Sequence, residues 1–431
     1  MQHSQTKQTM EPESDFLLIA LTEACQQIDM PNRSPSAPFS PPTVDDLGDP
    51  VSLATFFQID KLGKELTTFI VKDRRLVGGE VRMIRSDNGG SGFYPQFVGP
   101  ILVRRALQVG SPGAAIEWLR KVLGTTAATG RTIQALWGVP VAGEIQLTSD
   151  VKIVPIGTLP DSAQKRRLTQ VNNSPYGSVF NYAEPESALV MARQIEPFTF
   201  DPETQPNLQN DDYLAAHKLL LDIALALTVV GPRSVISAMK WFSFDDPDLE
   251  YALLGSSHSS HMHEIVPSQL VNYPALDPNE APQIVQGYLA LSGTTRDKLR
   301  VALQRLDQAQ RRRNIGDRAV ELSIAFETLL GDDGNTEMTH KIKVRSVRLL
   351  GGTADARKRN ADVINKTYKI RSQLVHTGSV SAGETETICG ERISTSVIID
   401  HATSMCADLI KIIIKRRFIP EWPIFDITEQ I

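Results

Sequence analysis

The sequence has few cysteines and no long apolar run, and both absences narrow its possible functions. Three of the 431 residues are cysteines, and no two of them form a Cys-x-x-Cys pair. Three cysteines cannot supply a disulfide framework or a zinc site of thiolates, so we expect a reducing compartment. A membrane-spanning helix needs roughly 18 to 20 apolar residues in succession. The longest candidate, 219–230, is shorter and is interrupted by Asp222. We therefore expect a cytoplasmic protein that does not cross a membrane.

The chain also lacks the positive excess of a protein that binds nucleic acid over its whole surface. Its 45 lysines and arginines face 50 aspartates and glutamates, which gives a formal net charge of -5. Apolar residues make up 41% and charged residues 22%, as in an ordinary globular protein. Any binding to nucleic acid would therefore require a local basic patch.

Length and pattern predict several consecutive regions. A chain of 431 residues is too long for one ordinary core, so we expect two or three domains. Residues 1–50 are expected to form a disordered arm, a short helix and a proline-rich linker, and 51–205 a small α+β domain of unknown role. Residues 206–295 are expected to be a helical connector and 296–420 a helical domain. The predicted fold class is α+β, with an N-terminal mixed α/β region before a C-terminal all-α bundle.

Local signals predict individual elements within these regions. Ser111 and Pro112 are typical of a helix start, and they precede a helical pattern over 114–123. Alternating residues over 144–147 and 151–156 predict a hairpin. Further strands are expected over 178–182 and 188–195. Apolar residues at helical spacing predict helices over 14–28, 213–230, 295–313, 318–330, 338–350, 357–376 and 393–417.

One segment reverses the charge of the chain. Residues 341–371 contain ten basic and two acidic side chains, a local charge of 10 - 2 = +8. A phosphate backbone complements such a segment, because each Lys or Arg that meets a phosphate releases condensed counterions. The alternative is a pair of solvated helix faces, and charge alone does not choose between them. The candidate RNA-binding residues are Lys341, Lys343, Arg345, Arg348 and Lys369.

Three sequences in and around this segment occur in an informative order. Residues 318–330 contain an apolar-Glu-x-Leu run, 341–350 form a Lys/Arg helix, and 368–378 read Tyr-Lys-Ile-Arg-Ser-Gln-Leu-Val-His-Thr-Gly. This order resembles the Apea-like branch of the HEPN superfamily over about 299–417. The pattern of that branch ends in Tyr-x-x-Arg-Ser-x-x-x-His-Gly, and here Thr377 separates the histidine from the glycine.

The resemblance implies a metal-independent endoribonuclease that needs no cofactor. Arg371 and His376 would be the catalytic residues, completed by the same pair from a second subunit. The residue chemistry is compatible, because RNA supplies its own nucleophile, the 2′-hydroxyl. A histidine titrates near neutral pH and serves as acid or base, while arginine stays charged and grips phosphate oxygens.

Helix geometry constrains how Arg371 and His376 meet. Five residues along an ideal α-helix leave two side chains roughly 140° apart and about 7.5 Å offset. Either the helix ends near His376, or two copies meet across a two-fold axis. We favour the dimer, or a higher even oligomer.

Three further residues are expected to support the pair. Glu327 is expected to orient Arg371, and Ser372 is a candidate for a hydrogen bond to phosphate. We expect Tyr368 in the core rather than against a base. In a purely structural alternative, Arg371 pairs with Glu327 or Asp362 and His376 caps helix carbonyls.

A histidine cluster is the one local group of potential metal ligands in the sequence. It consists of His258, His261 and His263. His-x-x-His-x-His can bind zinc, but loop histidines are more often solvated, so we expect no metal site.

Three functions compete at this point. The first is a ribonuclease effector of a defence or toxin type, with an N-terminal domain that binds a trigger or inhibitor. The second is a non-catalytic HEPN module that binds RNA, nucleotide or a protein partner. The third is a helical dimerisation domain attached to a separate N-terminal activity. The presence of both Arg371 and His376 favours the first.

Overall fold

The structure, a computed structural model, divides into two compact units. It describes residues 13–28, 50–73, 76, 79–85, 90–162, 164–165, 168, 184–200, 211–253, 261–262, 272–332, 337–381 and 383–428. The first unit comprises 1–133, 191–213 and 240–261, and the second comprises 134–190, 214–239 and 262–431. Both units are discontinuous along the chain, so their boundaries differ from the consecutive ones expected at 205 and 295.

Helices dominate the described residues. The helices are α1 (Glu13–Gln26), α2 (Pro50–Glu65), α3 (Thr67–Ile70), α4 (Pro95–Val109), α5 (Pro112–Gly124), α6 (Asp211–Leu227), α7 (Pro247–Leu253), α8 (Glu280–Leu289), α9 (Gly293–Arg311), α10 (Ile315–Leu330), α11 (Met338–Leu350), α12 (Ala354–Thr377), α13 (Thr395–Arg416) and α14 (Trp422–Ile427). The strands are β1 (Arg82–Arg85), β2 (Gly90–Phe93), β3 (Ala128–Trp137), β4 (Ile145–Gln146), β5 (Val151–Pro155), β6 (Ser187–Ile195), β7 (Phe198–Phe200), β8 (Ile236–Phe244), β9 (His261–Met262), β10 (Thr385–Ile388) and β11 (Glu391–Ser394). The predicted α+β class is confirmed, and the C-terminal region is helical.

The first unit packs helices around one apolar core. Side chains of α1, α2, α4, α5 and α7 line this core. Helices α2 and α4 approach closely because Gly63 faces Gly99, where an added Cβ would lie 1.8 Å from the Gly63 carbonyl oxygen. The predicted start of α5 is confirmed, since Ser111 Oγ accepts a hydrogen bond from the Ala114 amide at 3.3 Å. A small sheet in the order β2-β1-β7 is antiparallel throughout.

The larger sheet has the strand order β4-β5-β6-β3-β8-β9. The predicted hairpin is β4–β5, with Ile145 opposite Ile153. Strand β8 was not expected, because it lies within 206–295, the expected helical connector. Most of its residues are buried, including Trp241 and Phe242. A strand covered on both faces has no polar alternation, so its sequence cannot be told from a buried helix by periodicity.

The C-terminal part of the second unit is a bundle of α9 to α13. Asn314 caps α10, because its side-chain oxygen accepts hydrogen bonds from the Gly316 and Asp317 amides. The predicted helices of this region are present, and the antiparallel hairpin β10–β11 lies between α12 and α13. The expected arm over 1–12, linker over 29–49 and strand over 178–182 lie outside the described residues.

Candidate active site

Helix α12 carries both residues of the predicted catalytic pair. The helix begins after Thr353, whose hydroxyl accepts a hydrogen bond from the Ala356 amide at 3.3 Å. It ends at Thr377, where Gly378 takes a left-handed conformation with φ 73°. The side chain of Arg371 is 40% exposed, and His376 is exposed in the last turn. Both side chains are therefore accessible to a ligand.

Helical geometry separates the two side chains within one chain. The helix ends one residue after His376, so both residues stay on helical backbone. Their directions therefore differ by roughly 140°, with an offset of about 7.5 Å along the axis. One copy of the chain does not direct both groups at a single phosphate.

Arg371 contacts a glutamate and a tyrosine. Its Nη1 lies 3.9 Å from Glu327 Oε1, and the Tyr368 hydroxyl donates a hydrogen bond to the same oxygen at 3.2 Å. Burial raises the pKa of Tyr368, and the charge of Glu327 raises it further, so the phenol stays protonated and remains a donor. The contact between Arg371 and Glu327 is present, whereas the other suggested partner, Asp362, accepts from the Cys389 amide.

The remaining parts of the predicted site lie at the surface of α12. Ser372 is exposed on the helix. Capping by His376 is not seen, because the hydroxyl of Thr377 donates to the Gln373 carbonyl at 2.7 Å and the Gly378 amide donates to the Leu374 carbonyl. The His376 imidazole is therefore not the group that caps the end of the helix.

Arg345 is buried, which contradicts its expected role in RNA binding. Its side chain is 1% exposed, and its guanidinium donates to Asp426, Asp332 and the Leu330 carbonyl at 2.5 to 3.1 Å. It also lies over the ring of Trp422, with its Cζ 5.1 Å from the centroid. A guanidinium enclosed in this way cannot meet a phosphate backbone, and its role is to hold α14 against α11.

Other basic residues of 341–371 also have partners. Lys341 pairs with Asp332 at 2.9 Å, and Lys369 pairs with Glu386 at 2.6 Å. Arg348 donates to the backbone oxygens of Asp426 and Thr428. Lys343 is half-buried and takes part in no ion pair with the described residues.

The local charge of +8 is therefore reduced by acids from outside the segment. Lys366 joins Lys369 in pairing with Glu386, and these two hydrogen bonds lower the pKa of that carboxyl. Arg359 pairs with Glu391 at 3.4 Å. The acids lie after α10, on the hairpin and on α14, so a sequence window over 341–371 did not include them.

Neither a metal site nor a membrane span is found in the described part of the chain. Over those ranges, three or more histidine, cysteine, aspartate or glutamate side chains never group as metal ligands would. The described helices are all too short or too polar to cross a bilayer. The predicted cluster of His258, His261 and His263 lies outside the described residues, apart from the backbone of His261 in β9.

Comparison with known proteins adds no relative. Protein-family models, curated proteins and solved structures were compared with the chain, and none of them matches. The resemblance to the Apea-like HEPN pattern therefore depends on the three sequences over 318–378 and stays a prediction.

Proposed function

We propose that the chain is a metal-independent endoribonuclease that acts in the cytoplasm, with Arg371 and His376 of two subunits meeting at one phosphodiester. The observation that carries the proposal is that both side chains reach solvent from the last turns of α12, while Glu327, itself hydrogen-bonded by Tyr368, lies 3.9 Å from the guanidinium. The resemblance to the HEPN pattern supplies the reaction class.

The reaction uses the nucleophile that RNA itself contains. One imidazole takes the proton of the 2′-hydroxyl, whose oxygen then attacks phosphorus. The bond from phosphorus to the 5′-oxygen breaks, and a second, protonated imidazole gives that oxygen its proton. The products are a 2′,3′-cyclic phosphate and a 5′-hydroxyl. Arg371 neutralises the charge that gathers on the phosphate oxygens.

Two subunits are needed because one chain offers one His376 and turns it away from Arg371. A two-fold interface between α12 helices would bring two imidazoles and two guanidiniums together, which supplies an acid and a base. We propose a homodimer, or a higher even oligomer, for this reason. In a defence or toxin effector, a trigger or inhibitor bound by the N-terminal region would control the pairing.

The first experiment measures RNA cleavage in EDTA. Purified protein and a labelled single-stranded RNA should give a 2′,3′-cyclic phosphate, and His376→Ala should lower the rate by about 10²-fold or more. His340→Ala is the matched control, since His340 is also exposed and lies on α11. Equal rates for wild type and His376→Ala would refute the enzymatic proposal. Growth arrest on overexpression tests the same variants in cells.

A second experiment tests the shared site. Arg371→Ala and His376→Ala subunits are each expected to be inactive as homodimers. Mixed dimers of one wild-type and one His376→Ala subunit contain a single imidazole at the shared site, so the acid or the base is missing and their rate should fall well below half that of wild type. If the mixed dimers keep half of the wild-type rate, the two subunits do not share one site.

The second candidate is a non-catalytic module that binds RNA, nucleotide or a protein partner. The divergence of Arg371 and His376 on one helix favours it, since a monomer cannot use both at one phosphate. This candidate would be selected if the wild-type protein binds RNA but does not cleave it. The cyclic phosphate would then be absent under every condition in which the protein arrests growth.

A further inference from the structure

The carboxyl end of α13 presents three exposed cations beside an exposed aromatic ring. We define the basic terminus as Lys415, Arg416, Arg417 and Phe418. All four residues are exposed, and Phe418 retains 56% of its accessible surface. The three cations form no ion pair with any described residue, in contrast to Lys341 and Arg345 of α11.

The basic terminus lies at the same end of the bundle as the start of α12. The Thr395 amide donates to the Glu384 carbonyl, and the Glu384 side chain accepts from Gln373, so α13 begins beside the last turns of α12. The 22 residues from Thr395 to Arg416 then span about 32 Å, and the 20 residues from Gln373 back to the start of α12 span about 29 Å.

The path of the chain after α13 agrees with this placement. Asp426 follows the basic terminus by eight residues and is bound to Arg345 and Arg348, near the end of α11. Only three residues separate α11 from α12. The first turns of α12 add the exposed cations of Arg357 and Lys358 to this end.

Stabilisation of the helix end explains part of the charge but not the ring. Cations near a helix carboxyl terminus interact favourably with the helix dipole, which accounts for Lys415 and Arg416. It does not account for Phe418, which follows Arg417 in a left-handed conformation with φ 66° and leaves the helix toward solvent. Cations beside an accessible aromatic face are what single-stranded nucleic acid requires, because phosphates meet the charges and a base stacks on the ring.

We propose that the basic terminus binds single-stranded RNA, with Lys415 and Arg416 at phosphates and Phe418 against a base. The inference rests on the proposed function for its choice of RNA, and it moves the binding surface from α11 to the far end of α13. His376 lies at the opposite end of α12, about 29 Å from Arg357 along the helix axis.

The test measures binding separately from cleavage. The probe is a fluorescein-labelled 2′-O-methyl U15 oligonucleotide, which has no free 2′-hydroxyl, and anisotropy is followed in EDTA between 50 and 200 mM KCl. Each lost phosphate contact lowers log K by about 0.7 at 0.1 M salt, so Lys415→Gln/Arg416→Gln should bind about 25-fold more weakly. For this double variant, the slope of log K against log salt should be less steep than that of wild type by about 1.4.

Matched variants separate charge from stacking. The control Lys298→Gln/Arg313→Gln removes one cation on α9 and one that lies two residues after its end. This variant should bind the oligonucleotide as wild type does. Phe418→Ala should weaken binding about fivefold or more at every salt concentration, with an unchanged slope, and Phe418→Trp should restore the affinity. Circular dichroism confirms that each variant is folded.

Three outcomes would overturn the inference. They are wild-type affinity and slope for Lys415→Gln/Arg416→Gln, equal weakening by the α9 control, and binding of wild type to phosphatidylglycerol vesicles but not to the oligonucleotide. RNA cleavage that depends on His376 but not on the basic terminus would leave the proposed function standing and remove this inference. Binding that depends on the basic terminus, without cleavage by wild type, would do the reverse.

Discussion

Replacing Arg345 by methionine should release helix α14 from the bundle. The guanidinium is 1% exposed and is the common partner of Asp332 and Asp426, whose side chains are 23% and 32% exposed. Removing one member of a buried ion pair costs about 3–5 kcal/mol, and the partial exposure of both carboxylates places this case at about 3 kcal/mol. A loss of this size raises the equilibrium constant for the opening of α14 by about 150-fold.

Hydrogen exchange over 418–428 measures this opening directly. Amide protection in α14 should fall by about two orders of magnitude in Arg345→Met, since α14 loses its charged anchor while the rest of the bundle keeps its core. Lys343→Met is the matched control, because it removes one cation from the same helix at a half-buried site without an ion pair. Its exchange over 418–428 should equal that of wild type.

The same pair of variants can refute the structural reading of Arg345. If Arg345→Met exchanges over 418–428 at the wild-type rate, the guanidinium does not hold α14. A simultaneous loss of oligonucleotide affinity would then return Arg345 to the RNA-binding set.

Two further predictions concern the first unit. Gly99→Ala would place a Cβ 1.8 Å from the Gly63 carbonyl oxygen, so separating α2 from α4 should lower the melting temperature by an amount equivalent to about 1–3 kcal/mol. Gly113→Ala is its control, since the nearest atom to the new Cβ is a leucine methyl at 3.9 Å, and it should not destabilise. Burial raises the pKa of Tyr251 to about 12, because the buried phenol is more stable when it is neutral. Its contribution to the free energy of unfolding is therefore complete below pH 10 and is lost as pH rises through 12. The urea midpoint of wild type should therefore fall relative to Tyr251→Phe across this range, and a constant difference would contradict the assignment.

Elements with local signals were predicted well. The start of α5 at Pro112 follows from the Ser111 cap, and the end of α12 follows from Gly378, because caps and left-handed glycines act within one turn. The hairpin β4–β5 follows from alternation in the sequence. These signals are read from neighbouring residues, so no knowledge of the fold is needed.

Properties set by distant residues were not predictable from sequence windows. The burial of Arg345 depends on Asp426, which is 81 residues away. Strand β8 is covered on both faces, which removes the alternation that identifies a strand. The same limit applies to Lys369, whose partner Glu386 is on a hairpin that the sequence did not indicate. For Arg371 and His376, the sequence predicted the residues and their helix, whereas their exposure and the contact with Glu327 come from the fold.

The discontinuity of the second unit determines which pieces of the chain can be studied alone. A fragment over 296–420 would match the domain expected from the sequence, yet it would omit 134–190 and 214–239 of the same compact body. It would also end before α14, leaving the Arg345 guanidinium without the carboxylate of Asp426 and without the ring of Trp422 that lies over it. Truncation at residue 420 would thus leave Arg345 without a charged partner that it has in the intact polypeptide. Loss of activity in such a fragment would therefore not test the chemistry of His376.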